Sequence, residues 1–176
     1  MKKILFTALA GAALFTACSQ TSNEYVIYGT VTDPDMEGVK IFLVPVDNPV
    51  VENIDSTYIH DNVFVFRGTE EKIADIRIER MKRYGKETLL VVTEPGEIHA
   101  VIGEVSTGMG TPQNDSLQLW KNMTKKYYQQ ARGVSADQAQ ELRNGYIERT
   151  RQMAKNVDKN SPLGKFLDSR FPDEAK

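Results

Sequence analysis

Between residues 25 and 102 apolar and polar positions alternate with a period close to two, the mark of strands with one buried face. Tyr25–Val31 (YVIYGTV) is rich in β-branched and aromatic residues and ends at the turn signal Asp33-Pro34-Asp35. Residues 38–44 (GVKIFLV) put Val39, Ile41 and Leu43 on one face before Pro45, and Asp47-Asn48-Pro49 forms the next loop. Residues 55–59 (DSTYI) lead through Asp61-Asn62, a hairpin signal, into VFVFRG, where Phe64 and Phe66 share one face. Residues 73–79 (IADIRIE) turn Ala74, Ile76 and Ile78 inward. A charged loop with Lys82, Arg83, Lys86 and Glu87 precedes Leu89–Val92, which is apolar throughout, as a central strand would be. Glu94-Pro95-Gly96-Glu97 then turns the chain into residues 98–102 (IHAVI). About seven strands at roughly eight-to-twelve-residue spacing predict an antiparallel β-sandwich, or a partly open barrel, over residues 25–110.

The period changes to 3.6 after Thr111-Pro112, and residues 111–176 predict two to three helices packed on the β region or extending from it. Asn114 or Asp115 is the expected N-cap of the first, with Leu117, Trp120, Met123 or Thr124, and Tyr127 on one face. Ser135-Ala136-Asp137-Gln138 is a capping-box pattern for the second, whose apolar face runs through Ala139, Leu142, Tyr146, Met153 and Val157. Ser161-Pro162 opens a short third helix carrying Leu163, Phe166 and Leu167. The chain is therefore expected to be mainly β with C-terminal helices.

The first eighteen residues follow a different rule. Lys2 and Lys3 precede an apolar run, residues 4–14, too short to span a bilayer as a mature helix. Leu14-Phe15-Thr16-Ala17-Cys18 resembles the lipobox of a bacterial lipoprotein signal. That resemblance implies a signal peptide over residues 1–17, cleavage before Cys18, and acylation of the Cys18 thiol and its new amino group. Several acyl chains anchor stably where one is marginal. Residues 18–24 are polar and read as a tether, without the acidic cluster that resembles a surface-export signal, so a periplasm-facing position at the outer membrane is expected. Cleavage leaves 159 of the 176 residues and removes two of 22 basic residues and none of 24 acidic ones, taking the net charge from −2 to −4. This balance argues against a nucleic-acid partner, which calls for a basic face. Cys18 is the only Cys, which excludes an internal disulfide, a Cys-x-x-Cys pair and a multi-thiolate metal site.

The motifs Y-x-I-x-G-x-V, V-K-I-F-L, D-S-T-x-I-x-D-N-x-F-x-F-R-G, E-P-G-E and G-T-P-x-N-D occur in that order. Together they make residues 25–128 similar to the Bacteroidetes lipoprotein domain of unknown function 4369. That domain commonly lies N-terminal to a thioredoxin-like or AhpC-TSA peroxiredoxin-like domain. The resemblance implies an architecture rather than a catalytic residue, and the chain is expected to act without the redox domain and its cysteine. Thiol–disulfide exchange needs an attacking thiolate, so redox activity does not carry over.

Few residues remain for chemistry. His60 beside Asp61, and His99 near Glu94 and Glu97, are read as surface residues rather than as general bases or metal ligands. Glu94 and Glu97 flank a Pro-Gly turn and are read as solvated turn residues. Ser56 lacks a nucleophile elbow. Residues 103–110 (GEVSTGMG) lack the Lys-Ser/Thr of a phosphate-binding loop and are read as a flexible connection. Lys121, Lys125, Lys126, Tyr127 and Tyr128 form a basic–aromatic run, read as a solvated helix face with Tyr127 packed on the sandwich. No catalytic, cofactor-binding or metal-ligating residue is therefore expected, and Cys18 is the one modified position. The expected function is a non-enzymatic, lipid-anchored envelope module working through protein contacts or as a spacer. The alternative is an accessory or shortened part of a periplasmic thiol–disulfide or peroxiredoxin-like system, with a thioredoxin-like protein as partner. A small-ligand or glycan binder using Trp120 and surface tyrosines is a third reading.

Overall fold

A computed structural model describes residues 23–78 and 88–172. The leader, Cys18, the tether as far as Ser22, Glu79, the charged loop with Lys82, Arg83, Lys86 and Glu87, and residues 173–176 lie outside the described residues. Among the described residues eight strands come first: β1 (Tyr25–Val31), β2 (Lys40–Pro45), β3 (Asp55–Tyr58), β4 (Val63–Gly68), β5 (Ile73–Ile78), β6 (Leu89–Val92), β7 (Gly96–Ile102) and β8 (Thr107–Met109). Three helices follow: α1 (Pro112–Gln130), α2 (Ala136–Ala154) and α3 (Pro162–Arg170). The strands form two four-stranded sheets, ordered β4-β1-β7-β8 and β3-β2-β5-β6, and neither closes into a barrel.

The second sheet is wholly antiparallel, whereas β1 and β7 pair in parallel, so the first sheet is mixed. These two strands are separated by the whole of the second sheet, and a long crossover permits parallel pairing where a hairpin would not. The eighth strand lies in the glycine-rich stretch expected to be a loose connection. Thr107–Met109 pairs antiparallel with residues 99–101 of β7, so tertiary pairing makes a strand where local propensity is poor.

Alternation places the core as expected. Ile27, Phe64, Phe66, Ile98, Ala100 and Ile102 face Ile41, Leu43, Ala74, Ile76, Leu89 and Val91 between the sheets. Asp61 and Asn62 both take positive φ (52° and 62°), making the tight turn of the β3–β4 corner, and His60 bridges to Val63 across it. Two residues of the β1–β4 ladder explain the motif glycines. Gly29 pairs with Phe64 and Gly68 with Tyr25, and in each pair the aromatic ring lies over the glycine. A Cβ on Gly29 would stand 1.9 Å from Phe64 Cζ, and one on Gly68 would stand 2.6 Å from the Tyr25 hydroxyl oxygen.

β6 is apolar for a reason other than a central place in the sheet, because it lies at the sheet's edge. Leu89 and Val91 face the inter-sheet core, while Val92 and its neighbour Ile73 face outward into a second cluster with Leu117, Trp120, Leu163, Phe166 and Leu167. Trp120 and Phe166 meet edge to face with centroids 5.5 Å apart. Helices α1 and α3 thus dock on the outside of β5 and β6. Ser135 and Gln138 form the expected capping box, and Ser161 caps α3 through Gly164 N–H.

Candidate functional site

The edge strands β6 and β8 leave backbone N–H and C=O groups without strand partners, a liability that proteins cover or charge. Helix α1 covers both. Asn114, Gln118 and Lys121 stand at i, i+4 and i+7 and so share one face. Asn114 Oδ1 accepts the Val92 N–H (2.9 Å) and its Nδ2 donates to the Val92 C=O (2.7 Å), so the side-chain amide replaces a neighbouring strand. Its second N–H reaches Thr111 Oγ1 at 2.8 Å. Gln118 Oε1 accepts the Gly108 N–H of β8 (3.1 Å), and Lys121 Nζ donates to the Leu90 C=O of β6 (3.2 Å).

The helix start is held from a distance. Its N-cap is Thr111 rather than Asn114 or Asp115, and the Thr111 side chain makes no cap bond. Glu94 takes that role: its Oε1 accepts the N–H groups of Gln113 (2.7 Å) and Asn114 (3.2 Å), and its Oε2 accepts Gln113 Nε2 (3.1 Å). A carboxylate here satisfies orphan donors and meets the positive end of the helix dipole. Glu94 is only 8% exposed, contrary to its expected place as a solvated turn residue. Asp115 accepts the Gly110 N–H (2.9 Å), and Gln113 Oε1 accepts the Leu163 N–H (3.0 Å), which ties α3 to the same clasp. The E-P-G-E and G-T-P-x-N-D motifs are the two halves of this clasp.

The family description "Domain of unknown function (DUF4369)" matches residues 25–117, more than half of the chain. The chain belongs to this family. No curated protein and no solved structure matches it. The DUF4369 match includes the clasp residues Glu94, Thr111, Asn114 and Asp115, and ends within α1 before Gln118 and Lys121.

Beyond the match, the same face of α1 runs past the ends of the sheet edges and becomes the wall of a cleft of about 490 Å³. Lys121, Lys125, Tyr128, Gln129 and Arg132 line it from the helix side; Thr88, Leu89, Val105 and Ser106 line it from the strands. Among the described residues its lining holds three cations and no carboxylate. Burial pushes the Lys121 ammonium down to about 8, against the weaker opposing pull of Asp75. Trp120, which also lines the cleft, has a buried Nε1–H without a hydrogen-bond partner among the described residues.

The other sequence candidates are dispersed. His60 lies 3.2 Å from Glu37, a residue of an earlier loop, and both are well exposed. Glu37 also accepts the Asp61 N–H at 2.8 Å, so it braces the β3–β4 corner. His99 stacks on Tyr28 at 6.2 Å on the outer face of the mixed sheet. Glu97 is exposed on β7, whereas Glu94 is buried between β6 and β7, so the two carboxylates stand in different surroundings. Ser56 sits exposed on edge strand β3. Tyr127 packs on Tyr146 of α2 (4.8 Å, 10° between planes) and not on the sandwich, because α2 lies across that side of α1. Among the described residues no group of three or more His, Cys, Asp or Glu side chains is placed to hold a metal, and no helix is long and apolar enough to cross a membrane.

Proposed function

We propose that the chain is a non-enzymatic module of the cell envelope, anchored by lipid on Cys18 to the outer membrane, facing the periplasm and acting through protein contacts or as a spacer. The observation that supports a structural rather than a catalytic role is the use of the family's polar motif residues. Glu94, Asn114 and Asp115 all bond backbone groups of the fold, and Thr111 bonds Asn114. A side chain saturated by fixed backbone partners is a fastener, whereas a general acid or base needs a free position for the proton it moves. The lipobox-like run at Cys18 supports the anchor.

Fractionation tests the anchor. Cys18→Ala is expected to move the protein from the membrane to the soluble fraction, and retention on membranes after a high-salt wash would refute lipid anchoring. Peroxide consumption and insulin reduction by the soluble Cys18→Ser chain test the rest. That chain holds no sulfhydryl, so sustained turnover that survives repurification would overturn the non-enzymatic reading.

A further inference from the structure

We propose that the cleft beyond the sheet edges is a docking site for an acidic peptide segment of a partner protein, held in extended form along α1. Lys121 and Lys125 are one helical turn apart, about 6 Å along the axis, and Arg132, just past the helix end, adds a third cation to the lining. Acidic side chains at alternate positions of an extended peptide repeat every ~6.6 Å on one face, close to that first interval.

Charge complementarity is the second argument. Among the described residues Lys121, Lys125 and Arg132 enter no ion pair, and no carboxylate lines the cleft with them. Lys121 is half-buried and its one acceptor among the described residues is the Leu90 C=O, so two of its three donors remain for a ligand. Withdrawing this charge from water is costly. Asp75, already paired with Arg77, offsets only part of that cost, and an incoming carboxylate relieves more of it. Burial already lowers the proton affinity of this ammonium.

The remaining lining distinguishes a peptide from a free anion. Asn122, whose Oδ1 also accepts the Gln118 amide, and Gln129 offer acceptors as well as donors, which match the paired N–H and C=O groups of a peptide backbone better than a phosphate, whose oxygens are mainly acceptors. The Tyr128 ring, well exposed between Lys125 and Arg132, gives a flat apolar contact of the kind enriched at protein interfaces. This inference rests on the interaction-module reading. Its failure leaves the anchor and the absence of turnover to stand or fall by their own assays.

The probes are a blocked pentapeptide with glutamates at its second and fourth positions, the same peptide with glutamines, and inorganic phosphate. Calorimetry reports binding, and the fluorescence of Trp120, the only Trp, reports occupancy of the cleft it lines. The glutamate peptide is expected to saturate and to weaken as salt rises. Lys121→Gln should lower its affinity about tenfold and the exposed Lys125→Gln by about threefold. Lys125 is exposed and enters no hydrogen bond or ion pair among the described residues, so its variant stays informative if Lys121→Gln loosens the sheet edge. Absence of binding, equal binding of the glutamine peptide, phosphate binding as tightly as the glutamate peptide, or no effect of Lys125→Gln would each overturn the proposal.

Discussion

Gly29→Ala adds a single methyl group to a strand whose backbone tolerates alanine, yet it should clearly destabilise the sandwich. The new Cβ would lie 1.9 Å from Phe64 Cζ and 2.2 Å from both Cε atoms. Ordinary contact begins near 3.4 Å, so the ring must retreat by roughly 1.5 Å within a core packed to crystal density. Phe64 has little room, since it is 3% exposed and packs edge to face on Phe66 at 5.8 Å. Overpacking of this kind costs about 1–3 kcal/mol. Phe64→Ala removes the ring altogether and should cost ~3–5 kcal/mol.

The double variant decides whether the ring is the cause. With Phe64 already truncated, the methyl enters vacated space, and alanine in a strand is better than glycine by ~0.5–1 kcal/mol. Gly29→Ala should therefore turn from destabilising to neutral or mildly stabilising, a coupling of about 2–3 kcal/mol. Urea titration of the soluble Cys18→Ser chain, followed by far-UV circular dichroism, measures each corner of the cycle. Trp120 fluorescence reports the helical cluster, and coincidence of the two signals checks two-state behaviour. Val63→Thr, at an outward position that is 46% exposed, serves as control and should change stability by less than ~0.5 kcal/mol. Additivity of the two substitutions within ~0.5 kcal/mol would refute the ring-over-glycine account.

Glu94→Ala should cost about 1–3 kcal/mol in the same titration, because it leaves the Gln113 and Asn114 N–H groups without their acceptor; a loss no larger than that of Glu97→Ala would sink the distant-cap reading. Lys121 binds its proton less tightly folded than unfolded, so the unfolded chain carries the extra proton between about pH 8 and 10.5, and stability rises with pH through that window. Lys121→Met should flatten this rise relative to the parent chain, and an unchanged slope would show that the ammonium carries no burial penalty.

The strands were legible where their two faces meet different surroundings. Phe64 and Phe66 alternate with exposed Val63 and Val65, and this contrast alone orients β4. The Asp61-Asn62 turn and the capping box at Ser135 are equally local, each specified within four residues. The clasp was not legible, because Glu94 meets its partners 19 and 20 residues later and is buried only once α1 docks. In isolation, an acid beside Pro95-Gly96 has every mark of a solvated turn. The same holds for β8, whose three residues become a strand by pairing with β7, and for the parallel β1–β7 pair, which leaves no trace in either strand. By its immediate neighbours Lys121 belongs to a solvated basic run. Its spacing from Asn114 and Gln118, one polar residue per turn on one face, is the signal that separates it from Lys126.

That spacing also links the fold to its proposed use. Positions 114, 118, 121, 125, 128 and 132 lie on one continuous face of α1 and its C-terminal extension, and the structure divides this face in two. Up to Lys121 it is buried against β6 and β8, where amide and ammonium groups replace missing strand partners. After Lys121 the strands have ended and the same face looks into the cleft. A helix that only covered sheet edges would gain nothing from cations two turns beyond them, since exposed lysines without partners contribute little to stability. A helix that only carried a basic stripe would not need Asn114 fully buried on Val92. Rigid seating of the first half fixes the direction of the second. Loosening the clasp at Glu94 should therefore weaken peptide binding at Lys125 without any contact between the two, because the helix would lose the anchorage that aims its cations.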